Sequence, residues 1–221
     1  MSFNRDIQLD PNRVQTRSGG GRGAVIGGGS ILTVIAVVLI SQLTGVDLTS
    51  MLGAQQQTGT TTSTASSIDT SVCTSGDSAN KYTQCRMVAT AESLDAVWTE
   101  QLPAQAGLKY AKPEFVLWDG TQISSACGNA SSAVGPFYCS GDRTVYLDMS
   151  FFSEMERSLG AADTPLAEEY IVAHEFGHHI QHLTGQMAKA DRSGSGATSD
   201  SVRLELQADC YAGIWVNHAS S

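Results

Sequence analysis

Between Pro165 and Leu183 the chain carries His174-Glu175-Phe176-Gly177-His178 inside an apolar stripe of Ile171, Val172, Phe176, Ile180 and Leu183 at helical spacing. Asp163-Thr164-Pro165 supplies a capping side chain and a proline for the first turn, so the run predicts an amphipathic helix. Residues four apart on a helix share a face, so His174 and His178 can aim ring nitrogens at one metal ion with Glu175 beside them. A surface helix with solvated histidines is the alternative for an isolated match of this kind; the buried stripe argues against it. A catalytic zinc uses two such imidazoles, a third protein ligand, and an open position for a water whose pKa the metal lowers to about 7. Glu175 is then the candidate base.

A second predicted helix offers the third ligand. Val202 to Trp215 has no internal proline and sets Glu205 and Asp209 four apart on one face, among Leu204, Leu206, Ala208, Tyr211, Ala212, Ile214 and Trp215. The apolar residues leave little room for a wide solvated acidic face. Zinc ligation by Glu205, with Asp209 as the acceptor that orients a ligand histidine, explains both carboxylates at once.

His174-Glu175-Phe176-Gly177-His178-His179-Ile180-Gln181 followed by Glu205-Leu206-Gln207-Ala208-Asp209-Cys210-Tyr211-Ala212-Gly213 resembles the bacterial family called "putative neutral zinc metallopeptidase", a branch of the gluzincin-type zincins. The Glu-x-Gln-Ala-Asp element is also similar to that of membrane metalloproteases that process prenylated proteins, where the first Glu is the third zinc ligand. The resemblance covers most of the chain and implies a zincin-like domain with a small sheet, bound Zn²⁺, and a peptide or protein substrate. It also implies a further helical region beyond Ser221, so the chain is expected to be truncated at its C-terminus.

The remaining sequence predicts the setting of that domain. Residues 1–23 are polar and glycine-rich, carry Arg5, Arg13, Arg17 and Arg22, and read as a flexible cytoplasmic tail. Residues 24–46 hold no charge, and Ile31 to Ile40 is almost wholly aliphatic, the length of a transmembrane anchor. A cleaved signal peptide is the competing reading, but the charged leading region is long and no clean cleavage site follows. Four arginines before the span and no Lys or Arg after it until Lys81 predict a single-pass protein with the catalytic domain outside the cytoplasm. Residues 47–71 read as a polar linker and 72–221 as the metallopeptidase domain. The net charge of -9 makes nucleic acid an unsuitable partner.

Cys73 with Cys85, and Cys127 with Cys139, each bracket a turn-rich stretch, so two local disulfides are the economical pairing; Cys210 is left as a buried small hydrophobe. Tyr82 to Leu102 predicts a helix with Met87, Leu94, Val97 and Trp98 inward, ended by Gln101-Leu102-Pro103. Phe115 to Trp118 predicts a buried strand, Phe137 to Cys139 and Thr144 to Leu147 a hairpin, and Met149 to Leu159 a short helix. The fold class is therefore α+β. By the resemblance the hairpin is where an extended substrate would pair.

Further residues are open to more than one reading. His182 falls near the ligand face and His179 turns away; each is a candidate for a substrate role or a histidine that favours the helix C-terminus. Tyr146 and Tyr211 could offer a phenol to an oxyanion or fill the core, and His218 has no evident partner. Three functions fit: a membrane-anchored zinc endopeptidase with Glu175 as base, a catalytically idle zinc-binding envelope scaffold, and a zinc amidase acting on cell-wall peptide.

Overall fold

The protein is described here by a computed structural model covering residues 2–18, 68–159, 164–191 and 193–219. Within these residues lie six strands, β1 (Gln15–Ser18), β2 (Glu114–Asp119), β3 (Gln122–Ser125), β4 (Gly128–Ser131), β5 (Phe137–Cys139) and β6 (Thr144–Asp148), and six helices, two of them between β1 and β2 and four after β6. These are α1 (Gly76–Lys81), α2 (Thr83–Ala106), α3 (Phe151–Leu159), α4 (Pro165–Leu183), α5 (Gln186–Lys189) and α6 (Asp200–His218). The arrangement is α+β with two small sheets.

The main sheet runs β1-β2-β6-β5, the first three parallel and β5 antiparallel to β6. Phe115, Val116, Leu117 and Trp118 are all fully buried because β2 is covered on both faces, and a strand so placed reads as an unbroken apolar run. Phe115 and Leu117 join the core with α2 and α4, whereas Val116 and Trp118 pack with Tyr146, Ile123 and Ala130 beneath the β3–β4 hairpin. The Cys127–Cys139 disulfide ties that hairpin's turn to β5, and Cys73–Cys85 ties the loop before α1 to α2.

Helix α2 continues a turn past its expected stop. Pro103 lies inside it on the exposed side, and Gly107, in the left-handed conformation (φ 66), ends it by donating to the Pro103 carbonyl. The expected inward stripe of Met87, Leu94, Val97 and Trp98 is buried. Helix α4 starts as expected: Pro165 occupies the first turn, and the Thr164 hydroxyl accepts from the Ala167 amide. Helices α4 and α6 pack closely at Gly177, where a Cβ would lie 2.8 Å from the Ala208 carbonyl oxygen. Glycine is what lets the two helices approach so nearly.

The N-terminal segment corrects the sequence reading. Residues 2–18 are not a free tail: Leu9 and Val14 are buried, β1 pairs with β2, and the Asp10 amide donates to Glu92. Arg13 forms a buried ion pair with Asp95, and the Phe3 backbone exchanges two hydrogen bonds with Asn80. A chain that crossed a bilayer once between residues 24 and 46 would put residues 2–18 on one side and their partners on the other. Among the described residues, moreover, no helix is long and apolar enough to cross a membrane. The single-pass localisation and the membrane partner are thereby overturned; the stretch 24–46 itself, with most of the expected linker, lies outside the described residues.

Two smaller expectations fail on α6. Leu206 is 50% exposed and Cys210 is exposed, because the buried face is set by Leu204, Glu205, Ala208, Ala212 and Trp215.

Candidate metal centre

Helix periodicity places His174 and His178 one turn apart on α4, facing Glu205 across the contact with α6. His174 Nε2 lies 3.2 Å and His178 Nε2 3.5 Å from Glu205 Oε2. The potential ligand atoms of these three residues all lie within 4.8 Å of one another, and among the described residues no other such group of His, Cys, Asp and Glu is found. Tetrahedral ligands around a zinc at about 2.0–2.1 Å stand roughly 3.3 Å apart, a spacing that both histidine–Glu205 separations already match. A second observation fits a cation: Glu205 is buried, and its Oε1 has no hydrogen-bond partner among the described residues. A carboxylate oxygen left so is costly unless something positive completes it.

Each histidine has an acceptor behind it. His174 Nδ1 lies 2.7 Å from Asp209 Oδ1, which also accepts from the Tyr170 hydroxyl at 2.5 Å. His178 Nδ1 lies 2.9 Å from Gln181 Oε1. Such partners fix the ring so that its other nitrogen faces the site.

The electrostatics follow from this crowding of carboxylates. Burial opposes charge on His174, yet Asp209 and Glu205 outweigh it and hold the imidazole well above its ordinary range. Burial likewise opposes charge on His178, and Glu205 overrides it upward. Burial would raise Glu205, but both histidines pull it down. The acidic groups thus recruit protons onto the imidazoles, and a divalent ion that replaces those protons must release them on binding. Glu175 is buried beside the group without belonging to it, and burial pushes its carboxyl up while His178 and His174 pull it back. It also takes a backbone hydrogen bond from Tyr138 on β5.

Other residues singled out from the sequence fall outside the cluster. His179 is fully buried; its Nδ1 pairs with the Tyr138 hydroxyl at 2.9 Å and its Nε2 with the Ala111 carbonyl at 2.6 Å, a closed structural arrangement. His182 stacks on His179, Tyr146 donates to Asp142, Tyr211 packs edge-on against Trp98, and His218 bonds the carbonyl one turn back. A cavity of about 500 Å³ lies elsewhere, between the N-terminal segment, α2 and the end of α6, and none of the cluster residues lines it. Sequence reasoning missed Tyr170 and Gln181, though their positions, four before His174 and three after His178, are where a helix would put partners for those rings.

Residues 6–221 match the family described as "Putative neutral zinc metallopeptidase", and the chain belongs to it. It is 46% identical over 181 residues to a protein of Mycobacterium tuberculosis (strain H37Rv), covering 82% of this chain and 59% of that protein. It is 38% identical over 196 residues to YpfJ of Escherichia coli (strain K12), covering 85% of this chain and 62% of YpfJ. Both relatives are uncharacterized proteins, and the chain spans about three fifths of their length. No solved structure matches it.

Proposed function

We propose that the chain is a zinc-dependent endopeptidase of the zincin type, with His174, His178 and Glu205 holding the metal and Asp209 orienting His174. The observation that carries the reading is the buried Glu205 Oε1, without a partner among the described residues where His174 and His178 converge, with Glu175 buried alongside and left out of the ligand group. Bound zinc supplies Lewis acidity, polarising a scissile carbonyl and easing loss of a proton from water. Glu175 takes that proton and passes it to the leaving amine. Burial favours its uncharged form, which suits the acid half of that cycle, and the neighbouring histidines favour the anion needed for the base half.

Substrate placement is read from the sheet. Among the described residues β5 is an edge strand; it lies against α4 and bonds Glu175 through its backbone. An extended peptide pairing with that edge would pass in front of the metal ligands. The His174 side chain is the most open of the three, at 17% exposure against 9% and 3%, so access is from its side. A scaffold that only bound zinc would have no use for a buried carboxylate at position 175.

The test is to incubate purified protein with a denatured protein mixture, with and without a chelator, and map new termini. Chelator-sensitive cleavage that Glu175→Gln abolishes is expected; cleavage that survives in Glu175→Gln would overturn the assignment.

A further inference from the structure

His178 can offer Nε2 to a metal only in the tautomer that carries its hydrogen on Nδ1. What decides the tautomer is the group facing Nδ1, here the Oε1 end of a fully buried Gln181 at 2.9 Å. Which end of a glutamine amide faces a ring is settled by the amide's other partners. The Nε2 end of Gln181 lies 2.5 Å from the Leu204 backbone carbonyl and 3.1 Å from Gln207 Oε1. A backbone carbonyl is an acceptor in every case, so the NH₂ must face it and the oxygen must face His178. An amide oxygen only accepts. Nδ1 therefore keeps its hydrogen, so the nitrogen free to give up its proton to a metal is Nε2, on the Glu205 side.

We infer that Gln181 is a positioning residue that locks His178 in the ligating tautomer through the Leu204 carbonyl, one residue before Glu205. This rests on the zinc reading of the cluster. One amide group thereby joins two ligands that come from different helices: it accepts from the ring on α4 and donates to the backbone of α6 beside Glu205. The partner of His174 is built differently. Asp209 is anionic and partly exposed, whereas Gln181 is neutral and sealed. A carboxylate could not replace the amide, because it would set a buried anion against the Leu204 carbonyl with no donor to offer it.

Three measurements on the full chain test this, each with zinc as the probe. In long-range ¹H–¹⁵N spectra of the zinc-loaded wild type, His178 should show a protonated Nδ1 and an unprotonated Nε2; the opposite pattern would overturn the inference without any variant. Gln181→Met, similar in length but unable to accept or donate, should bind zinc about 10–100-fold more weakly in competition with a chromophoric chelator. Gln207→Ala, which leaves the Leu204 anchor, should stay within about threefold of wild type. A folded Gln181→Met with wild-type zinc affinity would sink the role, since lost packing alone lowers the melting temperature but leaves the tautomer and the affinity of folded molecules alone. His178→Ala separates the two layers: if it too binds zinc like wild type, the zinc reading itself is wrong.

Discussion

Two buried charged clusters flank α4, and they are built on opposite principles. Around Asp95 every lone pair has a partner: Oδ2 accepts from Arg13 Nε at 2.6 Å and Lys112 Nζ at 3.1 Å, while Oδ1 accepts from Arg13 Nη2 at 3.2 Å and the Tyr110 hydroxyl at 2.9 Å. Around Glu205 the oxygens converge with two imidazoles, and Oε1 is left over. Phe176 on α4 lies under the Arg13 guanidinium, 5.8 Å from ring centroid to cation, so the closed cluster braces the helix that presents the open one. A polar cluster that satisfies itself serves the fold; one with lone pairs to spare has a use for a cation.

Substitutions on the two sides should therefore fail differently. The largest effect is expected at Glu175. Glu175→Gln removes the proposed proton carrier without touching a proposed ligand, so peptide hydrolysis should fall by about 10²–10⁴-fold while zinc content is unchanged; steady-state rates with metal analysis check both halves. Asp95→Ala should do the reverse. It leaves the buried Arg13 charge without its partner, for a loss of about 3–5 kcal/mol in the urea midpoint analysis, while zinc affinity per folded molecule stays near wild type. A loss of zinc affinity matching the loss of stability would show that the clusters are not separable.

How much of this was legible beforehand differs between the same regions. The pair α4 and α6 could be read because helical spacing is local: capping at Thr164, the stripe through Phe176, and His, His, Glu and Asp at one-turn intervals all announce themselves within the segment. The N-terminal segment could not. Arg13, read as one of four arginines flanking an apolar stretch, finds its partner 82 residues away, and β1 is an all-exposed strand whose only warrant is the edge of β2. The β3–β4 hairpin was missed for a like reason: its composition of Ser, Gly and Asn is that of a loop, and pairing with the help of the Cys127–Cys139 tie makes it sheet. On α6 the spacing gave the buried carboxylate at Glu205 but mistook Leu206 and Cys210, because an apolar residue type does not by itself fix which way a helix face turns.

His179 sharpens the contrast, since it sits beside His178 yet belongs to the self-satisfied kind. Burial lowers it to about 4 from the ordinary 6.5. As pH falls below 6.5 the unfolded chain takes up a proton that the folded chain refuses, so this contribution is complete above 6.5 and is lost progressively toward pH 4. On the order of 3 kcal/mol is at stake. Compared across that range, wild type should lose stability more steeply than His179→Gln, whose amide can still donate to Ala111 and accept from Tyr138. Parallel curves would contradict the assignment.

A smaller change is expected at Gly177. A methyl there meets the Ala208 backbone at 2.8 Å, so Gly177→Ala must push α6 away and carry Glu205 and Asp209 with it. A stability loss of about 1–3 kcal/mol is expected, with weakened zinc binding. Unaltered affinity would mean the ligand group tolerates helix displacement.

The central claim is that Glu205, and not Asp209, completes the metal site. Zinc content after exhaustive dialysis of wild type, Glu205→Ala and Asp209→Ala tests it most directly. The account predicts one zinc per chain in wild type, almost none in Glu205→Ala, and zinc still present but about 10–100-fold more weakly held in Asp209→Ala. Stoichiometric zinc in Glu205→Ala would contradict it.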